Sequence, residues 1–193
     1  MRLPYVDNPP PPTTAEDAAI VQRIAARRAP RPLQPLDLTL LHAPAVADGW
    51  NSFLGAVRTG TSLADDIREL AICRVAVCNG AWYEWHHHAP LAVRAGVVEA
   101  ALDAVRSSGP LEAVTRPKEL DEGQWAVLLY TDEMTRYVRV KDDTFTLVHR
   151  LFCDRQVVEL TATIAAYNCV SRFLVALDVG ERNAPGPGEA SLQ

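Results

Sequence analysis

The sequence predicts an all-α fold in which helices pack on helices around a central helical hairpin. Three observations predict it. Apolar residues recur at helical spacing through most of the chain, as Ile67, Leu70, Ala71, Val75 and Cys78 do within one segment. Side-chain cap patterns precede several of these runs, and glycines follow them. No segment alternates apolar and polar residues with the period of two that a half-buried strand requires. At 193 residues, 48% of them hydrophobic, the chain suits a single domain with a sizeable core.

Residues 1–12, with four consecutive prolines from Pro9 to Pro12, read as an extended arm, and one helical domain spans 13–180. Thr13-x-x-Glu16 reads as a capping box opening AEDAAIVQRIAARR, and Ser62 followed by Asp65 opens a core helix from Ala64 to Asn79. Asn79-Gly80 punctuates that helix, and a second runs from Trp82 to Ala95 with Gly96 as its stop. Within it, Pro90 cannot donate to the carbonyl of His86 and its ring crowds that carbonyl, so a kink or a freed acceptor is expected. Asp121 with Gln124 starts EGQWAVLLYTDEMTRYVRV. A shorter segment follows around TFTLVHRLF, then the long RQVVELTATIAAYNCVSRFLVALDV, ended by Gly180 at a C′ position. Residues 181–193 have the composition of a disordered tail.

Charge and composition narrow the function classes. The formal net charge is -5 and no run of Lys or Arg exceeds two, so the basic surface that a nucleic-acid partner needs is absent from the sequence. No apolar stretch reads as a membrane span and the N-terminus lacks the pattern of a secretory leader, so a cytoplasmic protein without a membrane partner is expected. Cys73, Cys78, Cys153 and Cys169 form no Cys-x-x-Cys, and the first two sit ~140° apart on a helix. They read as buried small apolar residues.

The densest chemistry lies in NGAWYEWHHHAP, residues 79–90. Successive helical positions diverge by ~100°, so His86, His87 and His88 cannot form a three-histidine site. The pairs that can meet are Glu84 with His88, Glu84 with His87, and Tyr83 with His87. A di-iron bundle needs two Glu-x-x-His units, and only Glu84-x-x-His87 is present. No metal or other cofactor is expected.

These residues carry a resemblance. RELAICRVAVCNGAWYEWHHHAPLAVRAGV resembles the core signature of the carboxymuconolactone decarboxylase family, which shares the alkylhydroperoxidase D-like all-helical fold. The match is closest from Leu63 to Val97 and looser from Leu40 to Gly180, where VVELTATIAAYNCVSRFLVALDV is similar to the last helix of longer members. The peroxidase branch has a Glu, eleven residues, Cys-x-x-Cys, three residues and a His. Counting from Glu69, the two cysteine positions are Ala81 and Glu84 and the histidine is His88. Both thiols are gone, so a nucleophilic thiolate and its resolving partner are missing from those positions.

What the resemblance leaves is Glu69, Glu84 and His88, a set suited to proton transfer. It implies His88 as general acid or base, Glu84 as its partner in proton transfer, and Glu69 as the residue that orients or tunes His88. The alternative for Glu84 and His88 is a helix-surface ion pair, and for Glu69 a pairing with Arg74. Arg74, a charge within ICRVAVC, either binds an acid substrate's carboxylate or forms a structural salt bridge. Asn168 and Arg172 either line the pocket or a subunit contact. Trp82, Tyr83 and Trp85 either wall a pocket or fill core, with Tyr83 and His87 as substrate-binding candidates.

The implied activity is a cofactor-independent lyase or isomerase acting on a small organic acid, lactone or other carbonyl compound. The alternatives are a thiol-dependent hydroperoxidase, against which the missing thiols argue, and a non-catalytic oligomeric binding protein. A homo-oligomer, as a dimer, trimer or hexamer, is expected because an isolated hairpin would expose part of its apolar stripe. The geometry to look for is Glu84 and His88 on one cavity with Glu69 nearby, and at least one of His86 and His87 turned elsewhere.

Overall fold

A computed structural model describes residues 1–183. Those residues form nine α-helices, α1 (Ala15–Arg28), α2 (Pro35–Leu40), α3 (Pro44–Thr59), α4 (Asp65–Asn79), α5 (Trp82–Arg94), α6 (Glu99–Val105), α7 (Glu122–Tyr137), α8 (Asp142–Leu151) and α9 (Asp154–Leu177). Single 3₁₀ turns stand at Leu111–Ala113 and Val179–Glu181, and no strand occurs among the described residues. The all-α expectation holds.

Helix α4 is the axis of the molecule. Its sequence suggests a one-sided stripe, yet every residue from Glu69 to Val77 is buried, because α5, α7 and α9 pack around it. A helix enclosed on all sides gains nothing from a polar face, which is why its stripe is weakly defined. One core, including Ile72, Val75, Leu160 and Ile164, joins α4 to α3, α7 and α9. A second, including Leu70, Trp85, Leu102 and Leu128, joins it to α5, α6 and α7. A third, smaller cluster around Ile20, Ile24 and Leu40 seats α1 and α2 against the start of α3.

Several caps differ from the sequence reading. The N-cap of α1 is Thr14, whose hydroxyl accepts from Asp17 N at 3.0 Å, one residue later than expected. Ser62 does not cap α4. Its backbone N–H and hydroxyl both donate to Glu159 Oε2, at 2.8 and 2.7 Å, which ties the loop to α9. The Asp121/Gln124 box on α7 is present. That helix ends at Tyr137, three residues short of the expected limit, where Val138 turns left-handed. Helix α9 ends at Leu177, with Asp178 and then Gly180 left-handed. Helix α5 continues through Pro90 as one element.

Two further expectations change. Helix α9, at 24 residues, is long and apolar enough to cross a membrane by length and composition. Here it is a core helix, with Leu160, Ile164, Tyr167, Val170 and Leu174 buried against its neighbours. Of the cysteines only Cys73 is fully buried. Cys78 is half-buried and donates to Asp132 Oδ1 at 3.4 Å, while Cys153 and Cys169 are exposed. The proline-rich arm runs back over the C-terminal end of α9, where Arg2 N donates to Leu177 O at 2.8 Å and Gly180 N donates to the Tyr5 hydroxyl at 2.9 Å. The expected disordered tail lies mostly outside the described residues. Its first part is held in place, since Asn183 Nδ2 donates to Val179 O at 3.0 Å.

Candidate active site

The α4–α5 turn sets up the site. Gly80 adopts the left-handed conformation at φ 65°, and Ala81 N then donates to Ala76 O at 2.8 Å, closing α4 and reversing the chain within two residues. Helix α5 therefore runs back along α4, and His88 meets Glu69 across the hairpin. The Nδ1–H of His88 donates to Glu69 Oε2 at 2.6 Å, with both side chains buried. Glu69 is thus paired with His88 and, at 3.5 Å, with Arg68; it makes no contact with Arg74.

His88, Glu84, Tyr83 and His87 line one cleft, which encloses about 570 Å³ of empty space partly open to solvent. Its size and partly apolar lining suit a small molecule. Trp50 and Leu54 of α3 and Tyr167 of α9 form its apolar walls, and the Tyr167 ring stands edge-on to His88 with centroids 5.0 Å apart. His87 sits at the rim, its ring 4.4 Å from that of Tyr83. His86 is not among the lining residues; its Nδ1 is engaged with Trp82 O at 2.6 Å. The histidine run therefore splits as its spacing requires.

Electrostatics divide the labour between the two carboxyls. Burial pushes the Glu69 carboxyl up, but the hydrogen bond and charge of His88, with Arg58 and Arg68, outweigh it and hold Glu69 below the usual carboxylate value. Burial pushes the His88 imidazole down, and its bond to Glu69 only partly offsets this. At neutral pH the pair is a carboxylate and a neutral imidazole with its proton on Nδ1. The other ring nitrogen, Nε2, has no hydrogen bond among the described residues and carries a lone pair.

Glu84 is the opposite case. Its side chain is buried with no cation beside it, and burial pushes its carboxyl well above the usual range. The contact with Ser171 offsets this only in part. Ser171 Oγ lies 2.7 Å from Tyr167 O and 3.0 Å from Glu84 Oε2. A hydroxyl has one proton, and giving it to the Tyr167 carbonyl leaves Ser171 Oγ only as an acceptor. A protonated Glu84 can then donate to Ser171, whereas an ionised Glu84 takes the Ser171 proton for itself. The second carboxyl oxygen, Oε1, is buried without a hydrogen-bond partner among the described residues. The alternative for this pair, a surface ion pair between Glu84 and His88, does not form.

Other candidates lie elsewhere. Arg74 is fully buried on the far side of α4 and donates to Asp132 Oδ1 at 2.9 Å and to Val105 O and Gly109 O at 2.8 Å. It is a structural clasp, and the expectation that it reaches the substrate is corrected. Asn168 and Arg172 are likewise outside the cleft. Asn168 Nδ2 donates to Thr135 Oγ1 at 3.1 Å, and Arg172 donates to Asn168 Oδ1 at 2.6 Å on the exposed face of α9. The face of α9 that matters is one residue round the helix, at Tyr167 and Ser171. Trp82 and Trp85 fill the second core, and only Tyr83 of the three aromatics reaches the cleft. Sequence reasoning also missed Arg58, although Trp50, Leu54 and Arg58 form an i, i+4, i+8 stripe whose first two members point inward. No group of three or more His, Cys, Asp or Glu is placed to hold a metal ion among the described residues.

Residues 44–115, which contain α3, α4, α5 and Glu69, Glu84 and His88, match the sequence model of the carboxymuconolactone decarboxylase family. No protein of curated function matches the sequence. Among solved structures, an uncharacterized peroxidase-related protein from Ralstonia eutropha JMP134 with an alkylhydroperoxidase AhpD core superposes with a TM-score of 0.70 at 19% identity, over 92% of this chain and 90% of that one. A cysteine-to-alanine variant of the debrominase Bmp8 in complex with 2,3,4-tribromopyrrole gives 0.68 at 16% identity, over 90% and 92%. A protein of unknown function from Agrobacterium tumefaciens gives 0.64 at 18% identity, over 77% and 95%. At these identities the structural likeness shows the fold, which is the alkylhydroperoxidase D-like one, and the segment that builds the site, residues 44–115, is similar to the carboxymuconolactone decarboxylase family.

Proposed function

We propose that this protein is a cofactor-independent acid–base enzyme, a lyase or isomerase acting on a small organic acid, lactone or other carbonyl compound. The observation that carries the reading is the pairing of opposite protonation states in one cleft. Burial favours a proton on Glu84, whose Oε2 lies 3.0 Å from Ser171 Oγ, while His88 has a free Nε2 lone pair and a carboxylate behind it. In an isomerisation, His88 Nε2 removes a proton from a carbon beside a carbonyl, the electron pair enters the conjugated system, and Glu84 delivers its proton to the carbon that becomes saturated. Glu69 stabilises the imidazolium formed on the way. In a decarboxylation the carbon–carbon bond to the departing carboxylate breaks instead, and the proton from Glu84 takes its place on carbon.

A thiol-dependent peroxidase reading has less support. The positions that hold its cysteines are Ala81 and Glu84, and burial pushes the Cys73 thiol up and the Cys78 thiol to about 11, away from thiolate chemistry. The fold does not choose the reaction, since a debrominase shares it. The test is a screen of unsaturated lactones and β-keto or vinylogous acids for turnover, followed by variants. Glu84→Gln and His88→Ala should each lower kcat by about 10²- to 10⁴-fold with the fold retained. His86→Ala should have little effect. Near-normal rates for the first two would exclude them from proton transfer.

A further inference from the structure

Three arginines line the cleft, and they are not equivalent. Arg28 donates to Asp37 Oδ1 at 2.8 Å and Arg27 donates to Asn51, whereas Arg58 has no hydrogen bond or ion pair among the described residues. The last turn of α3 favours a cation through the helix dipole, which accounts for an arginine there but not for its direction. Its direction comes from the stripe it shares with Trp50 and Leu54, which brings the half-buried guanidinium into the cleft wall. A guanidinium partly withdrawn from water calls for an anion. The wall supplies none that is free. Burial disfavours the anion of Glu84, which has no cation within hydrogen-bond reach, and the Glu69 carboxylate is engaged by His88 and Arg68.

We infer that Arg58 is the specificity-determining residue of this cleft, receiving a carboxylate of the ligand and thereby directing the remainder of the molecule to Glu84 and His88. This rests on the acid–base reading for what happens to the ligand, but not for how it binds. The planar fork of a guanidinium donates to both oxygens of a carboxylate, which fixes orientation as well as position. A carboxylate so held is stabilised as an anion and is not the group that departs. Any decarboxylated group is therefore a second substituent at the Glu84–His88 end. Arg58 also lies close enough to help hold the imidazole of His88 down and the Glu69 carboxyl ionised, so its charge serves the resting protonation states as well.

The test is binding, with the full chain and matched probes: benzoate against benzamide, 2-furoate against 2-furamide, crotonate against crotonamide. Titrations followed by the His88 imidazole proton resonances give Kd for each. Wild type should bind at least one carboxylate about tenfold or more tightly than its amide, and Arg58→Gln should weaken that carboxylate by about 10- to 100-fold while leaving the amide within about threefold. Arg58→Lys should keep part of the preference. If Arg58→Gln does not fold, Arg58→Lys decides, with an unchanged carboxylate preference overturning the inference and a loss of about threefold or more supporting it. Absence of any carboxylate preference in wild type, or its persistence in Arg58→Gln, also overturns it. Glu84→Gln should retain carboxylate affinity within about threefold, so failure of the acid–base reading would show in turnover and leave this result standing.

Discussion

Gly180 gives a prediction whose size can be worked out from the structure and checked within the same molecule. Two glycines near the site adopt the left-handed region, Gly80 at the end of α4 with φ 65° and Gly180 in the turn after α9 with φ 77°. An added methyl group at Gly80 meets nothing within 4 Å, whereas at Gly180 it lies 2.2 Å from Tyr83 Cδ2 and 2.5 Å from Cε2. Gly80→Ala therefore incurs only the left-handed strain, about 1–2 kcal/mol. Gly180→Ala incurs the same strain plus the displacement of a packed ring, about 1–3 kcal/mol more, or about 2–5 kcal/mol in total. For a chain of this length each kcal/mol lowers Tm by about 2–4 °C, so calorimetry should find drops of about 2–8 °C and 4–20 °C respectively.

The displaced ring also has few ways to go. Tyr83 N donates to Asn183 Oδ1 at 3.3 Å, which holds its backbone, and the tilted His87 ring packs against it at 4.4 Å. The ring must move into the cleft, so Gly180→Ala should also weaken ligand binding where Gly80→Ala does not. A double-mutant cycle with Tyr83→Ala should recover the excess cost of Gly180→Ala. Equal destabilisation by the two glycine variants, or no coupling to Tyr83, would refute the steric argument.

Two further predictions concern buried charge. Because the folded pKa of Glu84 is raised above its ordinary value of 4.5, its stabilising contribution is present below that value and is lost as pH rises towards the folded pKa. Glu84→Gln escapes this loss, so the Tm of the variant minus that of wild type should grow from pH 4.5 to 8; a difference independent of pH would contradict a proton-bearing Glu84. Asp132 is the reverse case. Burial raises it, but Arg136, the Leu111 N–H and Arg74 outweigh this and depress it below 3.8, so its contribution is present above that pH and lost as pH falls further. Arg74→Met should lower urea stability at pH 7 by about 3–5 kcal/mol by leaving part of that cluster unpaired, with a smaller loss at pH 3 and unchanged carboxylate affinity in the cleft.

The sequence by itself determined the helices whose signals are local. Period and punctuation located α4, α5, α7 and α9, and the Asp121/Gln124 box is a contact between residues three apart that needs no tertiary partner. The same locality separated His86 from His88, because ~100° per residue is fixed by the helix itself. Helix α3 was harder to read. It carries Gly49, Asn51 and Gly55, has no side-chain cap, and is held by packing, so Arg58 within it drew no notice.

Tertiary structure decided which polar residues face the same space. Arg74 and Glu69 are both charges on α4, yet α7 supplies Asp132 to one and α5 supplies His88 to the other. Asn168 and Ser171 lie less than one turn apart on α9, and the position of α5 alone makes Ser171 the partner of Glu84. Whether Glu84 keeps its proton depends on burial and on the absence of a nearby cation, quantities that belong to the packed interior rather than to any spacing along the chain.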